Sequence, residues 1–154
     1  MTDEGFVPKR RRDDRLPPGQ YETRDFPVLS MGPTPEVSIP EWKLEIVGAV
    51  ENPMSWNWED FKKLPTENVV KDIHCVTKWS KFDTKWRGVM MDTIFDVVKL
   101  KEGATHIVAH SHDGYETNVP IEDLIHKKAM VAIEYDGEEI EPEHGGPARL
   151  LVPH

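Results

Sequence analysis

The chain has one cysteine in 154 residues, so it cannot form an internal disulfide. That suits a reducing compartment. It also has no apolar run long enough to span a bilayer or to form the hydrophobic centre of an export signal, although "KRRR" at residues 9–12 would suit the basic start of one. A soluble, cytoplasmic protein is the expectation. Cationic charge is in deficit as well. The 19 Lys and Arg stand against 28 Asp and Glu, and the net charge of -9 repels nucleic acid and anionic membranes. Any anionic ligand must therefore be held by a local cation working against that field. No internal repeat or linker divides the chain.

Length alone allows one domain that buries about two thirds of its unfolded surface. Residues 1 to about 20 mix charges with "LPPGQ" and lack a hydrophobic period, which predicts a flexible charged arm (1–20) ahead of a single domain (21–154). Pro27, Pro33, Pro35 and Pro40 forbid regular helix in the next segment, while Tyr21, Phe26, Val28 and Leu29 can pack it across a folded surface. Trp42, Leu44 and Ile46 alternate with polar neighbours as a half-buried strand does. "ENPMS" reads as a turn. Asn57 should cap a short helix whose Trp58, Phe61 and Leu64 share a face and which Pro65 ends.

Strands are expected over 68–76 and 104–112, a loop over 77–89, a second short helix capped by Asp92, a turn-rich connection over 113–120 and a third short helix over 121–129. A strand then leads to Asp136-Gly137, a strong hairpin-turn signal. The whole predicts an α+β domain with a mixed or antiparallel sheet.

Three places carry candidate chemistry. Cys75 leaves a strand for a loop holding Lys78, Lys81 and Lys85, cations that favour a thiolate; a single cysteine is equally a small buried hydrophobe. As a nucleophile it needs a base. His74 points to the opposite face of its strand, so His144 or His112 would have to approach through space. His110 and His112 form an H-x-H pair that can give two zinc ligands, but no third has recognisable spacing, and His106 reads as the solvated end of that face. In "HGGPARLLVP", Gly145 and Gly146 permit close backbone approach and Arg149 is a planar fork suited to phosphate; a hairpin turn and a surface arginine would look the same. Trp42 and Trp58 belong in a core, whereas Trp79, in a polar loop, could wall a pocket.

"PPGQYETRDFPVL", "DIHCVTKWSKFDTKWRGV" and "HGGPARLLVP" together, in this order, resemble the molybdopterin-binding domain of the sulfite oxidase superfamily, in particular its bacterial and archaeal sulfite-oxidase-like oxidoreductases, over about residues 16–154. The resemblance implies a mixed or antiparallel β-rich fold with short helices. It implies that Cys75 ligates molybdenum beside the dithiolene of one molybdopterin, with Thr77 and Lys78 making cofactor and pocket contacts. Arg24 becomes the cationic, catalytic residue near the metal, and Asp25 and Phe26 cofactor contacts where sulfite oxidases carry Asn and His. His112 becomes a further polar contact, and His144 and Arg149 hold the pterin and its phosphate. Family members continue past "RLLVP", so a C-terminal part is expected to be missing from this chain.

The activity so implied is a two-electron oxidation or reduction with oxygen-atom transfer on a small substrate of sulfite or sulfoxide type, with electrons exchanged with a separate partner protein. Two other readings predict different behaviour. A cofactor-free binding or scaffold module would hold no metal, and a cysteine-nucleophile hydrolase would show a fast-alkylating Cys75 and no need of metal.

Overall fold

A computed structural model describes residues 15–28 and 33–154. Most of the expected arm, and Leu29, lie outside the described residues. The described end of the arm is fastened to the domain. Arg15 donates from Nε to Asp72 at 2.8 Å and from Nη2 to Asp72 and Asp83, and its guanidinium lies 4.2 Å over the Phe82 ring.

The α+β expectation holds, with a mixed six-stranded sheet at the centre. Its long axis is a hairpin of β4 (Glu67–His74) and β5 (Trp79–Met90). The other edge of β5 is shared by β1 (Tyr21–Glu22), parallel to Trp79–Ser80, and by β8 (Met130–Tyr135), antiparallel to Trp86–Met90. On β8 pair β9 (Glu138–Glu139) and β10 (Arg149–Leu151). Two small antiparallel pairs complete the strands: β2 (Lys43–Ile46) with β3 (Met54–Asn57), and β6 (His106–His110) with β7 (Glu116–Pro120).

Side-chain alternation along β8 divides the interior. Val131 and Ile133 enter a core built on α1 (Trp58–Lys62) and α2 (Met91–Val98), with Trp42, Trp56, Phe61, Ile94 and Leu124. Met130 and Ala132 enter a second core on the opposite face, with Ile73, Trp79, Trp86, Ile140 and Leu151. Phe26, Cys75 and Tyr135 pack at the edge of this second core, so the sheet presents the candidate site on one face only.

Several local expectations are corrected. The loop expected over 77–89 is mostly strand β5: Ser80, Thr84 and Trp86 are buried among the half-buried Lys81 and the exposed Asp83 and Lys85, and the small polar buried residues hide the period. The turn-rich connection over 113–120 contains β7, and Met54 of the expected "ENPMS" turn already begins β3. The third helix is only a 3₁₀ turn, Ile121–Asp123, because His126 and Lys127 both adopt φ = 60° and cannot continue a helix. Met90, not Asp92, precedes α2. The Asp92 carboxylate instead accepts the backbone N–H groups of His126 at 2.8 Å and Lys127 at 2.7 Å, tying that turn to the helix. The Asn57 cap holds, its Oδ1 accepting Asp60 N–H at 2.8 Å. So does the hairpin turn, with Asp136 and Gly137 at φ = 53° and 81°.

Gly88 marks the tightest crossing of β5 and β8, where a Cβ would sit 2.3 Å from Val131 O. Gly88→Ala should therefore cost about 1–3 kcal/mol by overpacking against backbone. A thermal melt should show the midpoint falling by about 2–4 °C per kcal/mol.

Candidate functional site

Cys75 to Lys78 form the turn of the β4–β5 hairpin. Cys75 N–H donates to Trp79 O at 2.8 Å and Lys78 N–H to Cys75 O at 3.0 Å, and the turn closes with Lys78 at φ = 75°. Cys75 is half-buried, a free thiol whose Sγ accepts the Thr77 hydroxyl at 3.1 Å. Val76 at the tip is 88% exposed, so the sulfur sits between a buried aromatic wall and solvent.

The second wall comes from the chain after β9. A 3₁₀ turn, Pro142–His144, runs into Gly145 at φ = 95°, and a Cβ on Gly146 would lie 1.7 Å from Ile140 O, so the backbone there passes where no side chain fits. This folds His144 back over Phe26, with ring centroids 3.8 Å apart and planes tilted by 32°. Phe26 in turn meets Trp79, Trp86 and Tyr135 edge-on at 5.9, 6.2 and 5.3 Å. The His144 Nδ1 is buried without a hydrogen-bond partner.

Arg149, the first residue of β10, lies beneath this stack. Its Nη1 donates to His144 O at 3.1 Å and its Cζ is 5.5 Å from the Trp86 ring centroid. No carboxylate pairs with it among the described residues. Burial pushes its pKa below the usual arginine value, and the nearby Cys75, when a thiolate, pulls it back up. A half-buried guanidinium without an anion gives up part of its hydration uncompensated and is uncommon. It marks a place shaped for a negative group.

The structure thus brings together Phe26, Cys75, Thr77, His144 and Arg149. Arg24 and Asp25 are exposed. Arg24 lines a polar cleft of about 230 Å³ with Arg15, Thr23 and Lys81, and the Lys81 ammonium donates to its carbonyl at 2.5 Å. Lys78 is exposed at the hairpin tip. His112 is exposed in the turn between β6 and β7, beside Asp113, on a sheet separate from the one carrying Cys75. His110 pairs with Glu116 at 2.9 Å, and among the described residues no three His, Cys, Asp or Glu side chains cluster to hold a metal ion.

Trp86 and Tyr135 are wall residues that sequence patterning does not reveal. Trp79 and Trp86 have opposite parity in β5, yet an extra residue in β5 opposite Lys71–Ile73 puts both on one face. A second register shift, opposite Arg87–Gly88, does the same for Tyr135 relative to Met130 and Ala132.

Residues 31–154 match the model of the oxidoreductase molybdopterin binding domain. The chain belongs to that family. It is 38% identical over 153 residues to the uncharacterized oxidoreductase YuiH of Bacillus subtilis, covering 97% of this chain and 77% of that protein. It is 25% identical to the protein-methionine-sulfoxide reductase catalytic subunit MsrP of Campylobacter jejuni, over 73% of this chain and 43% of that one. The sulfane dehydrogenase SoxCD from Paracoccus pantotrophus shares the fold, with a TM-score of 0.69 at 22% identity, over 77% of this chain and 35% of that one. No helix among the described residues is long and apolar enough to cross a membrane.

The residues present fit the family's cofactor. Molybdopterin offers a dithiolene-bound metal that accepts a further soft thiolate, a heterocycle with polar edges and an anionic phosphate. Cys75 is the sole thiol, His144 Nδ1 an unpartnered buried edge atom, and Arg149 a half-buried cation without an anion among the described residues.

Proposed function

We propose that this chain forms the molybdenum-binding catalytic part of an oxidoreductase, which exchanges an oxygen atom and an electron pair with a small substrate of sulfite or sulfoxide type. The observation that carries this reading is the half-buried, carboxylate-free Arg149 beside Cys75. Relatives named for methionine-sulfoxide and nitrate reduction support the oxygen-exchange part of it.

When bound, molybdopterin supplies the metal and its two-electron redox change. The chain supplies position and charge. Cys75 offers its thiolate from a rigid hairpin turn, and the Thr77 hydroxyl on Sγ tempers its basicity. Arg149 would hold the phosphate through charge-assisted hydrogen bonds. His144 offers Nδ1 to a polar edge of the pterin, its ring held by Phe26. Trp79 and Trp86 exclude water behind the sulfur. Through the resemblance, Arg24 would be the cation near the metal, and Asp25, Lys78 and His112 would lie at the cofactor's periphery.

Electrons pass to or from a separate partner protein, and the cytoplasm is the proposed compartment. The test is turnover by the molybdenum-loaded protein, with a sulfoxide and a reduced one-electron dye in one arm and sulfite and an oxidised dye in the other. Turnover in either arm supports the reading. A loaded protein inert in both overturns it.

A further inference from the structure

The geometry points to Gln20 as a positioning residue for the Cys75 ligand: its side-chain amide fixes the peptide that carries the thiolate, and a chain of part-buried hydrogen bonds through the buried Ser80 fixes that amide. This rests on Cys75 being the metal-binding thiolate proposed above. Gln20 lies in "LPPGQYE", a stretch whose charges and prolines suggest only a mobile lead-in. In the fold its Nε2 reaches 55 residues along the chain to donate to Cys75 O at 2.9 Å.

The orientation of that amide follows from what each partner is able to do. A carbonyl only accepts, so Gln20 must turn its NH₂ to Cys75 and its Oε1 to Ser80, whose hydroxyl donates to it at 3.1 Å. Ser80 has a single hydrogen and has thereby used it. Its 2.7 Å contact with His74 Nδ1 therefore requires His74 to donate from Nδ1. Every hydrogen in the sequence His74, Ser80, Gln20, Cys75 runs one way. Reversing the chain would turn Gln20 Oε1 to the Cys75 carbonyl, two acceptors with no hydrogen between them, at about 1–3 kcal/mol.

The Cys75 carbonyl also accepts Lys78 N–H at 3.0 Å, which fills both of its lone pairs. Rotating that peptide breaks two hydrogen bonds, and the direction of the Cys75 Cα–Cβ bond is fixed with it. The backbone at Gln20 is held as well, Gln20 N–H donating to Pro17 O at 3.1 Å and, just after it, Tyr21 N–H to Lys78 O and Thr23 N–H to Ser80 O, each at 2.8 Å. His74, turned away from the thiolate by strand alternation, acquires its role here. Gln20 does not touch Sγ, so it acts through Cys75.

Gln20→Glu keeps the length and the acceptor for Ser80 but replaces the donor facing Cys75 O by a carboxylate oxygen. Ser80→Ala leaves Gln20 in place and frees its amide to turn. Two readouts serve: the alkylation rate of the sole cysteine in cofactor-free protein, and the thiolate-to-molybdenum charge-transfer absorption of loaded protein. Both variants should alkylate several-fold faster than wild type and shift the absorption band, with metal affinity lowered about 10–100-fold, the range for partners that orient a ligand. Gln20→Asn, one methylene short, should not restore wild-type values. Unchanged alkylation and absorption in both variants would overturn the assignment. The alkylation arm needs no metal, so a wild-type protein that never binds molybdenum would end the ligand reading while alkylation still decides whether Gln20 holds the thiol.

Discussion

Cys75→Ser should lower turnover of the molybdenum-loaded protein by more than about 100-fold, beyond the range seen when only the partners of a metal ligand are removed. A hydroxyl at this position is a hard, weakly acidic oxygen, and it replaces a soft thiolate matched to a sulfur-bound metal. The fold should survive the change. Cys75 is half-buried at the edge of its core, and its backbone bonds to Trp79 and Lys78 do not involve the side chain. The stability loss should be about 1 kcal/mol, or about 2–4 °C in the melting midpoint. Turnover within a few-fold of wild type at equal molybdenum content would remove Cys75 from the metal.

The second large effect has opposite signs in the two forms of the protein. Arg149→Met removes a half-buried cation that has no carboxylate partner among the described residues, and fills its volume with an apolar chain. In cofactor-free protein the relief of desolvation offsets the lost bond to His144 O, so the melting midpoint should stay level or rise. In loaded protein the loss of charge-assisted bonds to phosphate, about 1.5–3 kcal/mol, should weaken cofactor retention about 10–100-fold. Paired melts with and without cofactor, followed by cofactor release after gel filtration, check both signs. A variant that destabilises the cofactor-free protein strongly and leaves retention unchanged would make Arg149 structural.

The elements best read from sequence are those whose local chemistry agrees with the fold. Asn57 caps α1 as its side chain allows, and Asp136-Gly137 turns between β8 and β9 because both residues tolerate positive φ. The long strand β5 was hidden by its own composition: its inward positions include Ser80 and Thr84, and its bulge breaks the period just where Trp79 and Trp86 would have revealed a common face.

Cys75 and Arg149 were legible as candidates because a lone thiol and a glycine-led arginine each suit one chemistry. Their convergence was not, since 73 residues and a register shift lie between them, and only the alternation of β8 places both on one side of the sheet. Gln20 gave no signal, because nothing in a proline-rich approach tells which carbonyl an amide will reach.

The central claim is that Cys75, His144 and Arg149 together hold molybdopterin. It is tested most directly by the molybdenum and pterin content of the full chain purified from a molybdenum-replete host, beside Arg149→Met prepared in parallel. The account predicts stoichiometric molybdenum and pterin in the wild type and loss of most of both in the variant; a wild-type protein that contains neither would contradict it.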